Sequence, residues 1–60
     1  MKKYIIAIKL KNEKYERYYY NKKRCNFGLD DEEFWIDIDH RIVYFSFSKI
    51  EYFRIIEQGE

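Results

Sequence analysis

Sixty residues carry 12 Lys/Arg against 11 Asp/Glu, with one Cys, one His, no Pro and 22% aromatics. A single Cys rules out an internal disulfide, one Cys and one His do not make a four-ligand zinc site, and so aromatic a chain is too apolar to stay disordered. A chain this short buries only about 60% of its unfolded surface, so a second copy of itself is the staple left to it.

The charge is segregated. Residues 1–29 hold nine Lys/Arg and two Glu, and residues 30–60 hold three Lys/Arg and nine Asp/Glu. The plainest consequence is neutralisation between adjacent strands. Two opposite patches, or antiparallel pairing with a second copy, are the sharper ones. Lys2 and Lys3 imitate a basic leader, but Lys9 breaks the apolar run Tyr4–Ile8, short of the roughly 7–15 residues a signal needs. No segment is long enough to span a membrane. The lone thiol fits a reducing, cytoplasmic setting. Residues 1–60 read as one domain. Phe, Tyr, Met, Ile, Asn and Lys number 33 against 7 for Gly, Ala, Arg and Pro. That usage follows A/T-rich codons and points to a low-GC bacterium, or to a phage or mobile element within one.

In chain order, residues 3–20 predict a hairpin. Tyr4, Ile6, Ile8 and Leu10 alternate with Ile5, Ala7, Lys9 and Lys11, the period of a strand. A turn at Asn12-Glu13 sets Leu10 opposite Tyr15, Lys9 opposite Glu16, Ile6 opposite Tyr19 and Ile8 opposite Arg17. Asn21–Asp31 reads as a loop, with a positive-φ bend at Gly28 and with Phe27 and Leu29 pinning it to the core.

The stretch Phe34–Phe47 organises the chain. Asp39-His40 serves as a two-residue hairpin turn, because Asp and His tolerate positive φ. Ile38 then faces Arg41, Ile36 faces Val43 and Phe34 faces Phe45. Phe34, Ile36, Ile38, Val43, Phe45 and Phe47 share one face, the predicted core. Trp35, Asp37, Ile42, Tyr44 and Ser46 share the other. In the tail, Ser48-Lys49-Ile50-Glu51 matches a capping box, which favours a helix. The β-branched and aromatic run Ile50, Tyr52, Phe53, Ile55, Ile56 favours a strand after a bend at Ser46–Lys49. The strand is preferred, with the helix as alternative.

The predicted fold is therefore mainly β: a small antiparallel sheet, or an Sm/SH3-like barrel, of about five strands. Ile42-Val43-Tyr44 followed by Phe47-Ser48-Lys49-Ile50 resembles the second signature segment of bacterial Sm-like RNA chaperones. There an apolar strand, a short kink with Ser and a final strand close a ring. The N-terminal helix and the first-signature glycine of that family are missing, so its ring and RNA sites do not transfer. In size, codon-linked usage and Tyr/Lys-rich strands the chain is also similar to small phage-encoded anti-defence proteins, including short inhibitors of Hachiman-type immunity. That likeness implies a blocking role and transfers no residue.

Three surfaces are candidates for function. Trp35 and Tyr44, with Ile42, form an aromatic patch of the kind enriched at binding hot spots; its competitor is a face covered by the first hairpin or the tail. The run Asp30, Asp31, Glu32, Glu33 suits docking on a basic protein surface, against the plainer reading of a solvated turn. It lacks the spacing and turn glycine of a calcium loop. Tyr15, Arg17, Tyr18, Tyr20, Lys22, Lys23 and Arg24 interleave bases with aromatics as single-strand binders do, whereas a net charge of +1 argues against a dedicated nucleic-acid protein. His40 lacks a nucleophile and carboxylate set. Cys25, beside Lys23 and Arg24, has neighbours that lower a thiol pKa but no His partner.

The reading is a non-enzymatic, cofactor-free binding protein of phage or mobile-element type, acting as a homodimer or higher oligomer. It would block a host protein through Trp35, Tyr44 and the acidic run, with Lys22, Lys23 and Arg24 as a second contact. The alternative is a small nucleic-acid-binding module.

Overall fold

The computed structural model describes residues 3–59. Six strands follow in order: β1 (Lys3–Leu10), β2 (Arg17–Tyr20), β3 (Cys25–Leu29), β4 (Glu33–Ile38), β5 (Arg41–Ser46) and β6 (Ile50–Gly59), with a 3-10 turn at Phe47–Lys49. They form two antiparallel three-stranded sheets, ordered β2-β1-β6 and β3-β4-β5. Among the described residues the sheets share no ladder, so the fold is mainly β and is not a closed barrel.

The β4–β5 hairpin has the predicted register, with Phe34 opposite Phe45, Ile36 opposite Val43 and Ile38 opposite Arg41. Among the described residues Asp39 and His40 are the non-glycine residues with positive φ, at 49° and 71°, as a primed hairpin turn demands. The predicted apolar face is the core. Phe34 and Ile36 are fully buried and Phe45 nearly so, packed with Ile6, Ile8 and Ile50 from the other sheet. Phe34 stacks on Phe53 at 4.5 Å between ring centroids. Burying each such side chain contributes about 1.5–3 kcal/mol.

The tail is a strand. β6 pairs with β1 from Leu10–Ile50 to Lys3–Gly59, and those cross-strand partners outweigh the local capping signal. Ser48, the first residue of the box, lies inside the 3-10 turn with its hydroxyl 2.9 Å from that of Ser46, and Ile50 and Glu51 continue as strand, so the box starts no α-helix.

Three expectations about residues 21–31 need correction. Residues 21–31 are not a single loop: Cys25–Leu29 is a strand paired with Phe34–Ile38, which raises the count to six. Gly28 makes no positive-φ bend. It lies opposite Trp35, and a Cβ there would come within 2.5 Å of the indole Cζ2. The glycine is space for a ring. Leu29 does not pin anything, being 62% exposed; Phe27 meets Tyr4 edge-on, 5.8 Å between centroids, and neither ring belongs to the core cluster.

The first hairpin keeps the predicted register at Ile6–Tyr19 and Ile8–Arg17, but its ladder stops there. The Leu10–Tyr15 and Lys9–Glu16 pairs do not form, because the connection makes other contacts. Lys9 Nζ donates to the carbonyls of Leu10 and Glu13. The Glu13 carboxylate takes Arg17, and Glu16 turns to Arg54 on β6, 3.2 Å away. The segregated halves do meet, through Arg24–Asp37 at 2.6 Å and Lys9–Glu51 at 3.9 Å.

Candidate functional site

Alternation on β4 and β5 sends Trp35, Asp37, Ile42 and Tyr44 away from the core. Trp35 lies directly opposite Tyr44, and Asp37 opposite Ile42. Neither the first hairpin nor the tail covers this face: Tyr44 remains 59% exposed and Ile42 55%. The reason is that the β2-β1-β6 sheet spends its own apolar side on Phe34, Ile36 and Phe45. Trp35 is half-buried, its indole lying over Gly28. The Arg24 guanidinium closes one border of the patch on the Asp37 carboxylate. The second oxygen of that carboxylate, Oδ1, is buried without a hydrogen-bond partner among the described residues.

The acidic run is a tight turn at one end of this sheet. Asp30 N–H donates to the Glu33 carbonyl, and Asp30 Oδ1 accepts the N–H groups of Glu32 and Glu33, each at 2.8 Å. The Glu32 N–H, then that of Glu33, holds the Asp30 carboxyl below its ordinary pKa. Asp31 and Glu32 are exposed at the tip, while Glu33 is half-buried at the start of β4.

The basic triplet lies at the opposite end. The backbone N–H groups of Lys22, Lys23 and Arg24 converge on the Asp39 carboxylate at 2.8, 2.6 and 2.9 Å. Those of Arg24, Lys22 and Lys23, in that order, hold its pKa down at about 2. An anion nest of successive backbone donors is thus already filled by the hairpin turn. Trp35 and Tyr44 come together as predicted. Asp30, Asp31, Glu32 and Glu33 and Lys22, Lys23 and Arg24 are held apart, with the length of β4 between them.

The basic and aromatic set of the alternative reading is divided. Tyr18 and Tyr20 pair with Ala7 and Ile5 and face outward, 56% and 64% exposed. Tyr52 and Ile56 stand on the same outer face through their pairing with Lys9 and Ile5. Arg17 lies on the other side, bound to Glu13, and Tyr15 stands alone in the connection, 76% exposed. Glu16 accepts from Tyr18 at 2.6 Å and from Arg54. Hydrogen bonds from Tyr18, then Tyr52, with Arg54 after them, hold its carboxyl low.

One feature escapes the sequence. A cleft of about 470 Å³ opens between the strands at the unjoined margins of the two sheets, walled by Tyr18, Tyr20, Lys22, Ile38, Arg41 and Val43 among others. Arg41 belongs to no charge run, so only the topology identifies it.

Cys25 is half-buried. Burial first, and then Asp39 and Asp37, push its pKa up, opposite to the direction that Lys23 and Arg24 predict from the sequence. His40 occupies the hairpin turn. Among the described residues, no three His, Cys, Asp or Glu side chains are grouped to hold a metal ion, and no helix is long and apolar enough to cross a membrane. Comparison with protein-family models, curated proteins and solved structures finds no match to this chain.

Proposed function

We propose that this chain is a small binding protein of phage or mobile-element type that blocks a host defence protein by covering part of its surface, and that it works as a homo-oligomer in the host cytoplasm. The observation that carries the reading is the uncovered Trp35–Tyr44 pair with Ile42 beside it. Aromatic side chains supply large contact area at low entropic cost, and they dominate binding energy where they are fully covered. The acidic turn at one end and the basic triplet at the other give the face a direction, which favours one docking orientation over its reverse.

The test is affinity capture from a low-GC bacterial lysate with nuclease present, comparing the wild type with Tyr44→Ala. Tyr44 is exposed enough for its truncation to leave the fold intact. A stoichiometric protein that the wild type retains and Tyr44→Ala loses, with affinity at least about 30-fold weaker, is the expected result. Equal capture by both proteins would sink this face as the contact.

A second reading, nucleic-acid binding, draws support from the outward Tyr18 and Tyr20 and from Lys22 at the cleft. It predicts partners that vanish with nuclease and an affinity that falls steeply with salt.

A further inference from the structure

The two ends of the β3-β4-β5 sheet are opposite in charge and in shape. At one end the Asp30–Glu33 turn projects. Asp30 spends its carboxylate on the N–H groups of Glu32 and Glu33, which leaves Asp31 and Glu32 exposed at the tip. At the other end the unjoined margins of β2 and β5 frame the cleft of about 470 Å³, with Lys22 and Arg41 in its wall. Both cations are exposed, and neither pairs with a carboxylate among the described residues. Asp39, also in the wall, already has its carboxylate engaged by three backbone N–H groups.

We infer that the acidic turn of one copy seats in the cleft of the next, with Asp31 and Glu32 against Lys22 and Arg41. The inference rests on the oligomeric part of the proposal above; it spends Asp31, Glu32 and Lys22 on the next copy and leaves the target the Trp35–Tyr44 face with Lys23 and Arg24. Turn and cleft of one chain cannot meet, because the six residues of β4 hold them roughly 20 Å apart. The contact is therefore between copies. It joins two different patches, so two copies lying side by side in opposite directions close with two such contacts, and other angles give a ring or an open chain. Two free carboxylates meet two free cations. A nucleic acid fits the same cations less well, since the chain has a net charge of only +1 and the Asp39 carboxylate shares the cleft wall with them,. The Trp35–Tyr44 face stays open throughout.

The experiment is a charge exchange, read by sedimentation of the purified chain across concentration and salt. The wild type self-associates, and added salt weakens the association. Asp31→Lys with Glu32→Lys, and separately Lys22→Glu with Arg41→Glu, each raise the dissociation constant by about tenfold or more. An equimolar mixture of the two variants recovers the association, because each then offers the charge that the other lacks. All four side chains are exposed, and circular dichroism checks that both variants keep the β fold. A wild type that stays monomeric, variants that associate as it does, or a mixture that stays apart would each overturn the inference. So would a monomer that binds an oligo-dT probe through Lys22 and Arg41, which would make the cleft a polyanion site. Tyr44→Ala leaves the self-association unchanged, so loss of the target contact and loss of this one are read separately.

Discussion

The two hairpins share a strand pattern and differ in how their turns are made. In β4–β5 the two positive-φ residues Asp39 and His40 close the chain at once, and six pairs zip from Ile38–Arg41 to Glu33–Ser46. In β1–β2 the connection runs from Lys11 to Glu16, and only four pairs form, beginning at Ile8–Arg17. Alternation fixes which residues face each other in both. Turn chemistry decides how far the pairing reaches. Where the connection is polar and lacks positive-φ residues, its charges find local partners, as Glu13 does with Arg17, and the ladder starts late.

Breaking the better hairpin on its buried face has the largest effect. Phe34→Ala empties a fully buried site against Phe53 and costs about 3–5 kcal/mol, measured as a lower denaturant midpoint. Gly28→Val comes next. Its side chain meets the Trp35 indole, and overpacking costs about 1–3 kcal/mol, with a shift in Trp emission as the ring is displaced. Phe34→Ala strikes both sheets, whereas Gly28→Val strikes the outer face alone.

Asp39→Asn sharpens the comparison through pH. The folded carboxyl titrates at about 2, below the ordinary 3.8, so its contribution is complete above the ordinary value and fades as pH falls toward the folded one. The wild type therefore loses stability on acidification through that window. Asp39→Asn starts lower and shows a flatter acid profile, read from thermal midpoints between those two pH values. The smallest effect belongs to the other turn. Glu13→Gln removes an exposed pair with Arg17 and leaves the denaturation midpoint unresolvably changed, because side-chain entropy and water offset such contacts.

The register of Phe34–Phe47 was legible because two independent signals, the turn pair and the alternation, agreed on it. The strand at Cys25–Leu29 was not. Asn26 and Gly28 break its pattern, and it holds only because β4 offers an edge and Trp35 fills the space over the glycine. Trp35 and Tyr44 were legible as a patch, since position on a strand sets the face. The separation of Asp30–Glu33 from Lys22–Arg24 was not, because sequence distance says nothing about which end of a sheet a turn occupies. The cleft was least legible. It exists where two sheets fail to join, and no residue pattern encodes a missing ladder.

The pairing of β6 with β1 has a consequence for folding. Tyr52 joins Lys9 more than forty residues after it in the chain, so this contact is non-local and closes late. Until it closes, Ile6 and Ile8 have only β2 beside them, and the other edge of β1 is a bare template for pairing with other chains.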